Sequence, residues 1–531
     1  MKKQFLLSAL ILFVNIALIA QVNTTIIQQK TYGGSDNDYF SEAIQTNDGG
    51  YLIGGSSHSD ISGVKTDTSR GSSDAWILKL DNNLNIEWQK TIGGSNYDFL
   101  YSITKTEDDG YLLLSYSSSP ISGEKSVANY GGADYWLIKI DSLGNIRWQK
   151  TYGGTVDNQP KKIININNNR YLLVGYSDSD SSGVKTENSR GYRDFWIVMI
   201  DSLGTIIYDK TYGGDNTDYL SGAHYDSLSQ KLYLFGTTYS NLSGDITNIP
   251  YSPLGDYLLF QININNGNLI SDHRYGGDNV NAGADVLQLN NKIYIGGYSN
   301  SDSSGVKSED SRGGNDYWIL KLEENGSIVW DKTIGGNYGD GLASLCFTDD
   351  NQLLLIGSSQ SDISGEKTEA RIGQGDYWLV SIDTNTNILW QKTIGGDLFD
   401  RASQCIVLGT NHYILFGNSL SDISGYKTEN SYGQEDFWVV EIAVNLSLAD
   451  FSDKRLAIYP NPTQDFVKID LANPNSRGLL YVFDVNGKIV LSREIDFDNA
   501  KIDLTHLVSG VYFISFYDEE GNVFSNKLVK N

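Results

Sequence analysis

Trp88-Gln89-Lys90-Thr91-Ile92-Gly93-Gly94 is a short apolar-and-polar strand that ends on two glycines. It returns as Trp148-Gln149-Lys150-Thr151-Tyr152-Gly153-Gly154, as Trp330 to Gly336 and as Trp390 to Gly396. The glycine pair itself occurs seven times at this spacing, at Gly33/Gly34, Gly93/Gly94, Gly153/Gly154, Gly213/Gly214, Gly276/Gly277, Gly335/Gly336 and Gly395/Gly396. A period of about sixty residues over most of a chain this long means a modular array rather than one compact core.

One module is enough to read the architecture. After Gly93, Phe99 to Thr104 reads as a first strand, Glu107-Asp108-Asp109-Gly110 as a tight turn and Tyr111 to Leu114 as a second strand. A polar loop through Ser122-Gly123-Glu124-Lys125 leads to a third strand, Asp134 to Asp141, and the turn Ser142-Leu143-Gly144-Asn145 leads to a fourth, Ile146 to Thr151. Four antiparallel strands per module, seven times over, predict an all-β fold, a seven-bladed β-propeller. Thr25 to Thr31 matches a fourth strand yet precedes the first full module, whereas the last module stops after its third strand near Ile442. The N-terminal strand is therefore expected to complete the last blade and close the ring.

All ten tryptophans occupy two module positions: Trp76, Trp136, Trp196, Trp318, Trp378 and Trp438 in third strands, and Trp88, Trp148, Trp330 and Trp390 in fourth strands. Packing between blades is the expectation, with a carbohydrate platform as the alternative. Cys346 and Cys405 are the only cysteines. They fall ten and nine residues after their glycine pairs, and strand alternation predicts buried free thiols that do not face each other.

Alternation also puts the inter-blade connections and the loops between second and third strands on one face, which makes that face the expected binding surface. Two sets of acids lie there. Asp38, Asp98, Asp218, Asp340 and Asp400 follow the glycine pairs, with Asn158 and Asn281 in the other two modules. They are expected near the channel mouth, either binding a polyhydroxy ligand or a cation or serving as Asx turns. Asp60, Asp180, Asp302, Asp362 and Asp422 lie in the second loop, with Pro120 and Asn241 replacing the acid elsewhere. Asp178-Ser179-Asp180-Ser181-Ser182-Gly183 has the spacing of half an EF-hand, so calcium is the ion such loops would take, although Ser189 stands where the bidentate Glu belongs. A charge-balanced turn involving Lys65 and Arg70 is the other reading.

From Gly63 to Trp76 there are thirteen steps, an interval kept in every module except the fourth, where Gly244 to Pro253 breaks the pattern and Leu258 replaces Trp. Broken symmetry there makes Tyr251 and Tyr257 candidates for stacking on a sugar. No catalytic constellation is evident: His58, His224, His273, His412 and His506 do not recur, and there is no HExxH, GxSxG or phosphate-binding loop. No cofactor is expected. A net charge of −25 argues against a nucleic-acid partner.

Met1 to Ala20 reads as a signal peptide, residues 21–444 as the propeller, 445–455 as a linker and 456–531 as a small antiparallel β-sandwich. No transmembrane span is expected in the mature chain. The tail carries Tyr459-Pro460-Asn461-Pro462, Asp484-Val485-Asn486-Gly487-Lys488 and Ser509-Gly510-Val511-Tyr512. On these motifs it resembles the C-terminal sorting domain of Bacteroidetes type IX secretion substrates, which implies export by that machinery to the surface or the exterior. The modules are similar to uncharacterised bacterial repeats of the form Asp48-Gly49-Gly50-Tyr51-Leu52-Ile53-Gly54-Gly55. The expected function is a non-catalytic binding module for a glycan, an extracellular polymer or an envelope protein. The alternatives are a glycan-directed hydrolase using acids of the loop-rich face, and a purely structural surface protein.

Overall fold

The structure is a computed structural model that describes residues 21–167, 169–447, 456–470, 477–484, 489–495, 501–518 and 523–531. The expected signal peptide and most of the expected linker lie outside the described residues. The chain divides into a compact unit, Val22–Asn445, and a second one that contains Leu446–Asn531.

Among the described residues the first unit consists of seven four-stranded antiparallel sheets. In blade 1 the strands are Asp38–Gln45, Tyr51–Ser57, Asp74–Leu80 and Ile86–Ile92, paired in that order. The last blade contains Asp400–Gly409, His412–Ser419 and Asp436–Ser447, and its outer strand is Gln21–Tyr32 from the other end of the chain. Residues 445–447, read as linker, continue the third strand of this blade. First strands of neighbouring blades touch all round the ring, so they line the central channel.

Closure reproduces the chemistry of an ordinary blade. The Trp76 indole donates to Gln89 Oε1 at 3.1 Å, and Trp438 donates to Gln29 Oε1 at the same distance. Gln29 Nε2 donates to the Tyr426 carbonyl, and Lys30 pairs with Glu429 at 2.8 Å. The N-terminal strand thus supplies the amide that the missing fourth strand would have supplied.

The third-strand tryptophans are all fully buried, as the packing argument expects. Each follows an aromatic or small residue that reaches the next blade: the Tyr135, Tyr317 and Tyr377 hydroxyls donate to the carbonyls of Trp196, Trp378 and Trp438. Tyr257 belongs to this series. It is fully buried, its hydroxyl donates to the Trp318 carbonyl at 3.0 Å, and its ring lies 4.7 Å from that indole. It is core, not a sugar platform.

The glycine pairs have a steric cause. A Cβ on Gly93 would lie 1.8 Å from Asp74 Oδ1, and one on Gly94 would lie 2.5 Å from Ser119 Cβ. The same collisions recur at every pair, so each pair clears space for a third-strand Asp and a loop Ser. The second loop also needs a glycine, since Gly63 and its six counterparts hold φ between 53° and 59°.

The cysteines correct the alternation argument. Both are free and half-buried, and they pack against one core cluster with their thiols as neighbours. Adjacent blades stack face to back, so a residue on one face of blade 6 meets a residue on the opposite face of blade 7. That contact and burial push the Cys405 thiol pKa well up.

In the second unit, Ala457–Tyr459, Phe466–Asp470 and Lys501–Asp503 form one sheet. Ile489–Ile495, Gly478–Phe483, Gly510–Asp518 and Val523–Lys530 form the other. Val467, Ile469, Leu480, Val482, Ile514, Phe516 and Leu528 build its core.

Candidate functional site

Every first strand carries a bulge two to four residues in, as at Phe40/Glu42 and Leu342/Ser344. The bulge disturbs the ladder, and in four blades the side chain just after it answers the backbone of the next blade. Glu42 accepts from Ile103 N at 2.6 Å, Ser102 from Ile163 N at 3.1 Å, Asp285 from Leu345 N at 3.0 Å and Gln404 from Ala43 N at 2.8 Å. Burial raises the Glu42 carboxyl pKa and lowers that of the His224 imidazole. The acids of the channel wall are therefore engaged in joining blades.

The acids after the glycine pairs are engaged as well, which favours the turn over the ligand-holding set as the role of these residues. Asp38, Asp98, Asp218, Asp340 and Asp400 are all fully buried. Each accepts from the second glycine of its pair at 2.7 to 2.8 Å and from a loop serine, Ser59 in the case of Asp38. The turn reading fits this geometry. The second set sits singly, one acid per blade loop: Asp60 and Asp422 accept from Ser69 N and Ser431 N, Asp362 pairs with Arg371, and Asp180 and Asp302 are exposed. No group of three acids, histidines or cysteines fit to hold a metal occurs among the described residues. Tyr251 is 38% exposed and covers Gly305.

The open surface on the loop-rich face is built by residues one place further along each first strand. These are Tyr39, Phe99, Gln159, Tyr219, Ala282, Gly341 and Arg401. Because the acid before each points into the blade junction, its neighbour points the other way. On blades 1 and 2, Tyr39 meets His58 edge-on at 5.7 Å, and Phe99 stacks between Tyr97 and Tyr116 at 5.6 and 5.9 Å. On blades 3 and 4, Tyr176 and Tyr239 flank Tyr219. The Arg193 guanidinium lies 4.7 Å from the Tyr176 ring and 5.1 Å from Tyr219, held by Asp178 at 2.6 and 2.7 Å.

Blades 5 and 6 carry Ala282 and Gly341 in place of the large rings, and beside them opens a cavity of about 410 Å³, lined by Tyr298, Ser358, Gln360, Phe399 and Arg401 among others. A Cβ on Gly341 would meet nothing within 4 Å. This mouth therefore offers ring faces, hydroxyls, amides and guanidinium groups. Burial pushes the Tyr116 phenol up to about 12, so it is neutral at physiological pH. Sequence reading missed the belt because its residue type varies from module to module; the signal was its fixed place beside the buried acid.

Residues 457–531 match the family described as the secretion system C-terminal sorting domain. The chain carries that domain, and it is exported by the type IX route to the cell surface or exterior. The propeller is similar to the WD40 domain of Neurospora crassa Pan2, at 10% identity and a TM-score of 0.44 over 78% of this chain and 95% of that one. It is also similar to the WD40 β-propeller of Doa1, at 9% identity and a TM-score of 0.43 over 79% and 97%. No curated protein matches the chain. No helix among the described residues is long and apolar enough to cross a membrane.

Proposed function

We propose that the propeller is a non-catalytic binding module and that an extracellular polysaccharide seats at its channel mouth. The observation that carries this reading is the aromatic mouth beside an open cavity, on the face that holds the long loops. Sugar rings stack their C–H faces on aromatic side chains and satisfy their hydroxyls with amides, hydroxyls and guanidinium groups, all of which line this mouth. Export to the cell surface or exterior puts the module where such polymers are.

The test is titration of the 21–447 fragment against a panel of bacterial and algal polysaccharides, with calcium and with chelator, while hydrolysis is followed in the same samples. Saturable binding without turnover, lost in Tyr39→Ala/Phe99→Ala/Tyr219→Ala at unchanged melting temperature, supports the reading. Polymer cleavage would replace the binder with a hydrolase, and a blank panel would leave a structural surface protein.

A further inference from the structure

Each blade junction brings two acids side by side. The backbone N–H of the first-strand acid donates to the carbonyl just before the third-strand acid of the preceding blade. Asp38 donates to Glu435 O at 2.6 Å, Asp98 to Ser73 O at 2.8 Å and Asp218 to Arg193 O at 2.7 Å. Asp340 donates to Asn315 O at 2.6 Å and Asp400 to Gly375 O at 2.8 Å. Five junctions therefore pair Asp436 with Asp38, Asp74 with Asp98, Asp194 with Asp218, Asp316 with Asp340 and Asp376 with Asp400. All ten residues are fully buried.

The other two junctions pair Asp134 with Asn158 and Asp256 with Asn281, and they show what the site demands. Asn158 Nδ2 donates to Asp134 Oδ1 at 2.8 Å, and Asn281 Nδ2 lies 3.5 Å from Asp256 Oδ1. In the five Asp–Asp junctions the same Oδ1 atom, on Asp74, Asp194, Asp316, Asp376 and Asp436, has no hydrogen-bond partner among the described residues. A buried carboxylate oxygen without a donor is costly. What the asparagine supplies and the aspartate lacks is one hydrogen.

Charge leads to the same place. The third-strand and first-strand positions hold twelve buried acids among the described residues. Facing them are seven buried cations: Lys65, Lys125, Lys185, Lys307, Lys367, Lys427 and Arg274. The excess is five negative charges, one for each Asp–Asp junction. Asp436/Asp38 faces Lys427 and Lys65, Asp74/Asp98 faces Lys65 and Lys125, and Asp194/Asp218 faces Lys185, with Arg190 nearby but outside the count because it is paired with Asp245 and Glu187. Asp316/Asp340 faces Lys307 and Lys367, and Asp376/Asp400 faces Lys367 and Lys427.

We propose that each Asp–Asp junction binds one proton shared between its two carboxyl groups, so that the folded propeller holds five buried protons. A metal ion is a poorer occupant, because an amide N–H fills the place in two of the seven junctions. Burial raises Asp194, Asp316 and Asp376 to about 6 and Asp218 and Asp436 to about 7, with the paired acid adding to burial at Asp218, Asp316, Asp376 and Asp436; burial without a paired acid takes Asp134, beside Asn158, equally to about 7. Unfolded, these groups titrate near 3.9. Between those values the folded chain holds more protons than the unfolded one, so this contribution to stability is full at low pH and is lost as pH rises through about 6 to 7.

The experiment is urea unfolding of the full chain between pH 5 and 7, followed by tryptophan fluorescence, since all ten tryptophans lie in the repeats. Asp38→Asn should remove one proton from the linkage, so the ratio of its unfolding constant to that of the wild type changes about tenfold per pH unit. Asn158→Asp should add a sixth proton and change the ratio in the opposite sense. An infrared carbonyl band of protonated carboxyl groups should be present at about pH 5, where exposed carboxylates are ionised, and shrink by about one-fifth in Asp38→Asn, by the count of junctions and independently of unfolding. Parallel pH dependences of wild type and both variants, an absent band, or a fall in stability on adding chelator at fixed pH would each overturn the proposal.

Discussion

Blade 4 has lost the buried loop lysine, and Arg274→Thr tests whether Arg274 replaces it. In blade 1, Lys65 is 1% exposed and its Nζ donates to the Ser59 carbonyl at 2.7 Å. Blade 4 has Ile246 in that place, and the fourth-strand position that is Thr in the other blades is Arg274. The Arg274 guanidinium reaches the carbonyl of Ser240, the counterpart of Ser59, at 2.7 Å, and pairs with Asp256 Oδ2 at 2.7 Å, both side chains being fully buried. Removing one partner of a buried pair costs about 3–5 kcal/mol, because the other charge stays behind. In a unit of this size that is on the order of 5 °C in melting temperature. Ile246→Lys alone should also destabilise, since it puts a second cation beside Arg274. Together the two changes rebuild the composition of the other blades, and most of the loss should return, with a coupling energy of about 2 kcal/mol or more. Thermal and urea unfolding of the four proteins measure the cycle. A cost below about 1 kcal/mol for Arg274→Thr, or a double variant no more stable than the single ones, would refute the substitution argument.

Two further outcomes follow from the same geometry. Deleting Val22 to Thr31 removes the outer strand of the last blade and the partner of the Trp438 indole, so the melting temperature should fall by several degrees at least; an unchanged value would sink the closure. Gly93→Ala drives a Cβ against Asp74 Oδ1 and should cost about 2 kcal/mol or more, whereas Gly341→Ala, in open space, should stay within about 0.5 kcal/mol of wild type, as read from urea midpoints.

The repeat, its four strands, the place of the tryptophans and the closing strand were legible because they depend on local alternation and on counting. What depended on how one blade meets the next was not. Strand alternation assigns Cys346 and Cys405 to opposite faces correctly, but stacking turns opposite faces of adjacent blades into one interface. Tyr251 and Tyr257 stood out through a broken loop, yet Tyr257 keeps the inter-blade role of Tyr135 and Tyr317, and the same blade carries Arg274 against the Ser240 carbonyl. Lys65 and its counterparts read as loop charges, since nothing local says that a lysine in a polar loop is buried against two carboxyl groups. Burial also decides the acids: Asp38 and its series mark the channel mouth by position, but their oxygens point into the junctions, and the residues after them form the surface.

Gly341→Tyr tests the central claim most directly. It places in blade 6 the side chain that blades 1 and 4 carry at the same position and fills the cavity without touching the core. If the mouth is the ligand seat, titration of this variant against the polysaccharide bound by the wild type should show a loss of affinity of at least tenfold with an unchanged melting temperature. Unaltered binding by a variant of unaltered stability would place the ligand elsewhere and contradict the account.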